Sequence, residues 1–194
     1  MPLKTPIAIF ASGRGSNAEA IIDYSKNSNF EVTLIVSNKP DALVLELAKK
    51  HHIPSLIVEK NTFYNTSAIL EALQSFDIKW IVLAGFLWLI PEYLVEKFPN
   101  KIINIHPSLL PKFGGKGMYG KRVHQAVFEA KAKESGITIH FVNNEYDKGD
   151  IVFQKATPIA PTDNPEAIAQ KVLHLEHEYL PKVIETLVQK DLNC

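Results

Sequence analysis

Short apolar runs alternate with amphipathic segments along most of this chain. Runs typical of β-strands occupy residues 7–12, 30–38, 54–59, 79–86 and 101–106. Between them, apolar residues recur at helical spacing in residues 17–26, 41–50, 66–76 and 91–98. Because strands that alternate with helices form βαβ units, this pattern predicts an α/β fold with a Rossmann-like, mostly parallel twisted sheet flanked by helices.

The second part of the chain predicts a different arrangement of strands. A glycine-rich loop, a helix, two strands and a long helix are predicted at residues 107–120, 122–133, 136–142, 151–159 and 164–194. The two strands are close in sequence, which indicates that part of the sheet is antiparallel. No repeat or linker interrupts the pattern, so a single domain spanning residues 1–194 is expected.

The charge balance narrows the possible function classes. The 194 residues contain 21 Lys and Arg against 21 Asp and Glu, so the formal net charge is zero. This balance argues against a dedicated nucleic-acid-binding or membrane-surface protein. The single cysteine, Cys194, allows no intrachain disulfide, and no apolar run reaches the ~18 residues of a membrane span. The N-terminus lacks a signal-peptide pattern, so a cytoplasmic location is expected.

Polar and glycine-containing loops follow four of the predicted strands. They are residues 12–17, 37–40, 84–90 and 106–115. In open α/β sheets, ligands bind outside the carboxyl ends of the strands. We therefore expect these loops to share one edge of the sheet and to form one site.

The first of these loops, SGRGSN, has the features of an anion-binding turn. Gly13 and Gly15 allow a sharp turn and a close approach of the backbone to a ligand, and the following helix presents free N–H groups. Ala18 stands where a dinucleotide fingerprint has its third glycine, which favours a phosphate monoester over a dinucleotide. An ordinary helix start also explains the loop, with Ser16 as N-cap and Glu19 completing a capping box.

The segment NIHPSLLPKFGG places an amide and an imidazole at the end of the fifth strand. Asn104 and His106 are two positions apart, so both side chains point to the same face of a strand. Pro107 favours an extended backbone at His106. An amide donor beside an imidazole suits an oxyanion that forms in acyl transfer. A histidine that only hydrogen-bonds a backbone carbonyl is the alternative.

Four segments together resemble the folate-dependent phosphoribosylglycinamide formyltransferases, and the resemblance extends over essentially the whole chain. They are NIHPSLLPKFGG, GITIHFVNNEYDKGDIV, AGFLWLI and SGRGSN, at residues 104–115, 136–152, 84–90 and 12–17. The His-Pro-Ser-Leu-Leu-Pro segment is shared with other formyltransferases and hydrolases that use 10-formyltetrahydrofolate. The Gly-Ser-Asn turn and the compact length point to the purine-biosynthesis family.

The resemblance implies formyl transfer from the cosubstrate 10-formyltetrahydrofolate to the amine of 5-phosphoribosylglycinamide, in purine (IMP) biosynthesis, without a metal. The implied catalytic residues are Asn104, His106 (the general acid) and Asp147. The implied phosphate-binding residues are Gly13, Gly15, Ser16 and Asn17. The implied folate-binding residues are Leu87, Trp88, Leu89, Ile90, Lys60 and Asn104. No nucleic-acid or membrane partner is implied, and the oligomeric state stays open.

Several positions qualify this assignment. The stretch GGKGMYGKRVH, residues 114–124, is longer than the loop in the commoner bacterial form of the family, which leaves the residue correspondence at 112–124 open. Leu87 and Trp88 replace a Met–Arg pair. His124, which begins a helix after this loop, is a candidate to face the substrate, whereas His140 is expected to pack within a strand. Asp147 is expected to raise the pKa of His106 by charge attraction.

Two other functions stay open at the level of sequence. A formyl-folate hydrolase would have the same fold and use water in place of the amine. A non-enzymatic nucleotide- or folate-binding module would need only the loops, and the trio of Asn104, His106 and Asp147 argues against it because binding does not require an acid–base set. His174 and His177 have a spacing that suits zinc, but no third ligand is in register.

Overall fold

Strands and helices alternate along residues 4–193, which are the residues that the computed structural model describes. In chain order they are β1 (Thr5–Phe10), α1 (Ser16–Ser25), β2 (Phe30–Ser37), α2 (Leu43–Lys50), β3 (Ser55–Ile57), α3 (Lys60–Asn65), α4 (Ala68–Ser75), β4 (Trp80–Leu83), α5 (Glu92–Lys97), β5 (Ile102–His106), α6 (Lys121–Glu129), β6 (Glu134–Phe141), β7 (Ile151–Pro158) and α7 (Pro165–Leu192). The elements predicted from the apolar pattern are present, and α3 is an addition. Cys194 lies outside the described residues.

The strands form one sheet of seven in the order β3-β2-β1-β4-β5-β6-β7. The pairs from β3 through β5 are parallel. The pairs β5–β6 and β6–β7 are antiparallel. The prediction of a mostly parallel sheet with an antiparallel part is therefore confirmed. The antiparallel part begins one strand earlier than the spacing of the last two strands indicated, because β6 already runs against β5.

The central strands are buried on both faces, which explains their continuous apolar runs. In β1, Ile7 and Ile9 belong to one core cluster, which also contains apolar side chains of α1, α2, α6 and α7. Ala8 and Phe10 point to the other face and join a second cluster with α3, α4 and α5. Alternate residues of each strand thus hold helices against opposite faces, and the loops at the strand ends remain open to a ligand.

The start of α1 differs from the sequence prediction. Gly15, with φ 81°, precedes the helix, Ser16 is its first residue, and the side chains make no capping hydrogen bond. The carboxylate of Glu19 instead lies 3.1 Å from Nζ of Lys50. The predicted capping box is wrong because the left-handed backbone at Gly15 moves the helix boundary and leaves the Ser16 hydroxyl inside the helix.

The last helix, α7, spans 28 residues. Its cap is Asn164, whose side chain accepts a hydrogen bond of 2.8 Å from the backbone N–H of Ala167. Pro181 lies within the helix and is buried. No helix within residues 4–193 combines the length and the apolar character needed to cross a membrane.

Candidate active site

A cavity of about 850 Å³ opens at the carboxyl ends of the central strands. The loops after β1, β2, β4 and β5 all contribute to its lining, as do the loop after β6 and one face of α7. The four polar and glycine-containing loops that the sequence placed on one edge therefore do meet there. The reason is the parallel arrangement of β2, β1, β4 and β5, which brings their carboxyl ends together.

At one side of the cavity, β5 presents Asn104 and His106 on the same face. His106 is almost fully buried, with 3% of its surface exposed. Its Nε2 lies 2.8 Å from the backbone carbonyl of Phe113, so Nε2 carries a hydrogen and Nδ1 is the nitrogen that faces Oδ2 of Asp147 at 3.4 Å. Phe113 has φ 56°, a conformation that stores about 1–3 kcal/mol of strain in a residue with a side chain.

Asp147 lies on the loop between β6 and β7 and joins these groups. Its Oδ2 accepts a hydrogen bond of 2.8 Å from the backbone N–H of Gly115. Its Oδ1 lies 3.4 Å from Nδ2 of Asn104. With φ 56°, Asp147 is left-handed, a region that Asp tolerates better than most residues. The structure thus brings the three predicted catalytic residues into direct contact, although Asp147 is 43 positions from Asn104.

Burial lowers the pKa of His106, and this effect outweighs the others. The charge of Asp147 and the hydrogen bond to the Phe113 carbonyl act in the opposite direction, while the neighbouring His140 adds to the lowering. The predicted contribution of Asp147 therefore has the right sign, but the predicted net increase is wrong. In the absence of substrate, His106 favours its neutral form at neutral pH, and Asp147 supplies the main attraction for a proton there.

The carboxylate of Asp147 is ionised at neutral pH. Burial acts to raise its pKa, but its contact with His140, the charge of a protonated His106 and the Gly115 N–H together hold the pKa below its ordinary value. A buried carboxylate beside the His106 imidazole favours a proton on that ring.

His140 belongs to this site, which the sequence did not indicate. It is buried on β6, as expected, but its Nε2 lies 3.1 Å from Nδ2 of Asn104. It also lies 3.6 Å from Oδ1 of Asp147. Its Nδ1 donates to the carbonyl of Phe141 at 2.7 Å, so Nε2 accepts from the Asn104 amide. His140 thereby orients this amide. The antiparallel register pairs His140 with Asn104, and a local sequence pattern does not reveal that pairing.

His124, the other histidine considered, also lines the cavity. It lies in the first turn of α6, is 8% exposed, and its buried Nδ1 has no hydrogen-bond partner among residues 4–193. Burial, and secondly the charge of His106, lower its pKa. His124 therefore offers a neutral imidazole to the cavity.

The glycine turn after β1 forms another part of the lining, but its residues differ in position. Gly13 and Asn17 line the cavity, whereas Gly15 and Ser16 are outside the lining. A side chain on Gly13 would meet nothing within 4 Å, but one on Gly15 would come within 2.9 Å of Val44. Of the four predicted phosphate-binding residues, Gly13 and Asn17 are therefore the two that reach the cavity.

Glu176 on α7 is a cavity residue that sequence reasoning missed. Its Oε2 accepts a hydrogen bond of 2.8 Å from Nδ2 of Asn17, whose Oδ1 is buried without a partner. Burial raises the pKa of Glu176 to about 7, although the Asn17 hydrogen bond opposes this. An acidic residue on the apolar face of a helix, between the buried Leu175 and Leu180, is the signal that could have identified it.

We expect Glu176→Gln to stabilise the protein at alkaline pH. Between an ordinary pKa of 4.5 and about 7, ionisation is easier in the unfolded chain, so wild-type stability falls as the pH rises through this window. Well above it, the glutamine variant should be more stable by roughly 3 kcal/mol, and below it the two proteins should be equal. Urea unfolding at about pH 4 and about pH 8 measures the difference.

Glu178, which is partly exposed and pairs with Lys182 at 3.2 Å, provides the matched control on the same helix. Glu178→Gln should change stability little at either pH. An equal effect of Glu176→Gln at both pH values would contradict the raised pKa.

The predicted folate-binding segment also lines the cavity. Leu87, Trp88, Leu89 and Ile90 all contribute, and Ile90 is buried whereas Leu87 is 37% exposed. Lys60, the first residue of α3, is exposed and does not line the cavity. The structure therefore brings the apolar segment to the site and leaves Lys60 apart from it.

The site contains acid–base groups and amide donors beside an apolar wall. In the described part of the chain, 4–193, no three His, Cys, Asp or Glu side chains are grouped so that they could hold a metal ion. The imidazole of His106, the carboxylate of Asp147 and the amide of Asn104 can move a proton and donate hydrogen bonds to a developing oxyanion. Such a set suits acyl transfer.

This chain is similar in sequence to two phosphoribosylglycinamide formyltransferases. A phosphoribosylglycinamide formyltransferase of Bacillus subtilis (strain 168) is 42% identical over 187 residues, which are 93% of this chain and 93% of the relative. A chloroplastic phosphoribosylglycinamide formyltransferase of Arabidopsis thaliana is 41% identical over 196 residues, which cover 97% of this chain and 67% of that protein.

Solved structures show the same fold. The crystal structure of phosphoribosylglycinamide formyltransferase from Anaplasma phagocytophilum superposes with a TM-score of 0.87 at 33% identity, covering 96% of this chain and 88% of that chain. The family described as formyl transferase matches residues 5–184. This chain therefore belongs to the formyl transferase family.

Proposed function

We propose that this protein transfers the formyl group of 10-formyltetrahydrofolate to the amine of 5-phosphoribosylglycinamide, a step of purine (IMP) biosynthesis. The products are formyl-phosphoribosylglycinamide and tetrahydrofolate. The observation that carries the proposal is the contact of Asn104, His106 and Asp147 in a cavity that has a glycine turn at one part and an apolar segment at another. The family and its named relatives support it.

The chemistry requires an oxyanion donor and a proton donor at the formyl carbon. When the amine attacks, the formyl oxygen becomes negative and the new C–N bond forms. Asn104 donates one amide hydrogen to His140, and its other hydrogen makes only a long contact of 3.4 Å with Asp147. This second hydrogen is available to the oxyanion.

The leaving nitrogen of the folate needs a proton as its bond to the formyl carbon breaks. His106 supplies it from Nδ1, since Nε2 is held by the Phe113 carbonyl. Asp147 keeps the protonated ring stable until that moment, which matters because burial alone lowers the His106 pKa. The attacking amine releases its own proton to solvent or to a neutral side chain, and the formyl-amide product then forms.

The two substrates are assigned to the two parts of the cavity. The phosphate is placed at the turn of Gly13 and Asn17, where the N–H groups of the first turn of α1 favour an anion. The turn residues Gly15 and Ser16 shape this backbone. The pterin is placed against Leu87–Ile90, since a flat heterocycle needs an apolar slot with backbone hydrogen bonds at its edge.

The release of tetrahydrofolate, measured with and without 5-phosphoribosylglycinamide, tests the proposal. Release only in the presence of the amine supports the transferase. Equal release in water alone would identify a hydrolase. Binding of both compounds without any release would identify a non-enzymatic module.

We expect Gly13→Val to raise KM for the ribonucleotide about tenfold or more, because the new side chain occupies the space of a phosphate held by charge-assisted hydrogen bonds. KM for the folate and the melting temperature should stay near wild type, since a side chain at Gly13 meets nothing within 4 Å. Steady-state kinetics with each substrate varied in turn measures the effect.

Gly15→Val provides the contrast at the same turn. Its side chain would crowd Val44 at a backbone φ of +81°, so this variant should lose stability. Equal increases of both KM values in Gly13→Val would contradict the proposal that the phosphate binds at this turn.

We also propose that residues 1–194 form a single domain and that the protein is cytoplasmic. It is proposed to have no nucleic-acid or membrane partner. The balanced charge and the single cysteine support it. The Bacillus subtilis relative carries no compartment in its name, whereas the Arabidopsis thaliana relative is named chloroplastic. Cell fractionation with an antibody against the protein tests the location.

A further inference from the structure

The helix α3 carries aromatic residues to the back of the predicted folate-binding segment. None of its residues lines the cavity, so α3 has no direct contact with a ligand there. Phe63 is buried, and its ring lies 5.6 Å from the rings of both Phe86 and Trp88. The ring of Tyr64 lies 6.0 Å from that of Trp88. These four residues form an aromatic cluster that supports Trp88 from behind.

The supported segment, Leu87–Ile90, belongs to no helix or strand. No regular ladder of backbone hydrogen bonds therefore holds its conformation. Side chains must supply hydrogen bonds to its backbone N–H and C=O groups. The hydroxyl of Ser12 accepts from the backbone N–H of Leu87 at 3.0 Å. The hydroxyl of Tyr64 donates to the carbonyl of Leu89 at 3.0 Å.

The tyrosine hydroxyls are suited to this task. A second one, of Tyr93 on α5, donates to the carbonyl of Phe63 at 2.6 Å and ties α3 to α5. Burial raises the pKa of both Tyr64 and Tyr93, so both hydroxyls keep their hydrogens at neutral pH. The hydrogen bond from Tyr64 therefore joins a fixed helix to a segment without regular structure.

We propose that Tyr64 is a positioning residue for folate, which acts by holding the Leu89 carbonyl and, with Phe63 and Phe86, the half-buried indole of Trp88. The proposal rests on the proposed function, which places folate against this segment. Trp88 contacts the rings of this cluster and also lines the cavity. It offers a flat surface on which an aromatic ring of the cosubstrate can pack.

Tyr64→Phe keeps the ring and removes only the hydroxyl. We expect KM for 10-formyltetrahydrofolate and Kd for tetrahydrofolate, the latter measured by calorimetry, to rise about fivefold, the effect of one lost hydrogen bond. KM for the ribonucleotide and kcat should stay at wild-type values, since no residue that contacts the reacting atoms changes. If Tyr64 served only stability, Tyr64→Phe would lower the melting temperature without a selective increase of the folate constants.

Tyr24 provides the matched control, because its hydroxyl donates to Glu185 at 2.6 Å, between α1 and α7 and outside the cavity lining. Tyr24→Phe should lower the melting temperature without changing either KM. The inference would be overturned if Tyr64→Phe had the wild-type KM for 10-formyltetrahydrofolate and the wild-type Kd for tetrahydrofolate. Equal increases of both KM values would also overturn it. A wild-type protein that releases no tetrahydrofolate with 5-phosphoribosylglycinamide would instead overturn the proposed function.

Discussion

Asp147→Asn is expected to lower kcat by about two to four decades, the range for a lost acid–base function. The amide can still accept the backbone N–H of Gly115, which lies 2.8 Å from Oδ2, so the loop should keep its shape. The charge is lost, however, and with it the attraction that opposes the burial of His106. Less imidazolium is then available to protonate the leaving nitrogen. Both KM values should change little, because Asp147 acts mainly in the transition state.

The sign of the pH effect follows from the same interaction. Since the carboxylate raises the pKa of His106 against the effect of burial, its removal lowers that pKa further. The alkaline limb of the kcat profile should therefore move to lower pH in Asp147→Asn. NMR titration of the His106 ring checks the shift directly.

A carboxylate outside the cavity provides the control for this variant. Asp163 accepts the backbone N–H of Ala160 at 2.7 Å, and hydrogen bonding to Lys171 lowers its pKa as the largest effect. Asp163→Asn removes a comparable charge and should leave kcat unchanged. A kcat of Asp147→Asn within a few-fold of wild type would show that Asp147 only shapes its turn.

His106→Gln is the second change with a large expected effect, again about two to four decades in kcat. The glutamine amide can donate to the Phe113 carbonyl in place of Nε2–H, so the buried site should stay paired. It has no proton to transfer at neutral pH. Tetrahydrofolate should therefore be released far more slowly, while both substrates still bind. Single-turnover kinetics with bound folate measures the chemical step directly.

A histidine outside the cavity provides the control for the loss of kcat in His106→Gln. His174 on α7 is exposed and lies outside the cavity lining, so His174→Gln should be as active as wild type. If His106→Gln retains most of its kcat, the proton must come from a group other than His106.

The two variants should not be additive. His106 and Asp147 act on one proton and lie 3.4 Å apart, so removal of either should disable the same step. We expect the double variant to be nearly as active as the slower single variant. Additive losses in a double-mutant cycle would mean that the two residues serve separate steps.

Local patterns in the sequence predicted the elements of the sheet and the loops that form the site. The apolar runs predicted the strands, and the helical spacing of apolar residues predicted every helix except α3. The helix α3 was not predicted, because the six residues KNTFYN are too few to show a helical period and contain no strong helix signal. The loops could be assigned to one edge because parallel strands share their carboxyl ends.

Local sequence was enough to predict the alternation of strands and helices, the glycine turn after β1, and the placement of Asn104 and His106 on one face of β5. These features depend on backbone geometry within a few residues, which is written in the local order of apolar, glycine and proline positions. Local sequence did not predict that His140 pairs with Asn104 or that Glu176 contacts Asn17 across 159 positions of the chain. It also did not predict that burial lowers the His106 pKa. Those outcomes depend on strand register, helix packing and desolvation, which arise only when distant segments come together and exclude water.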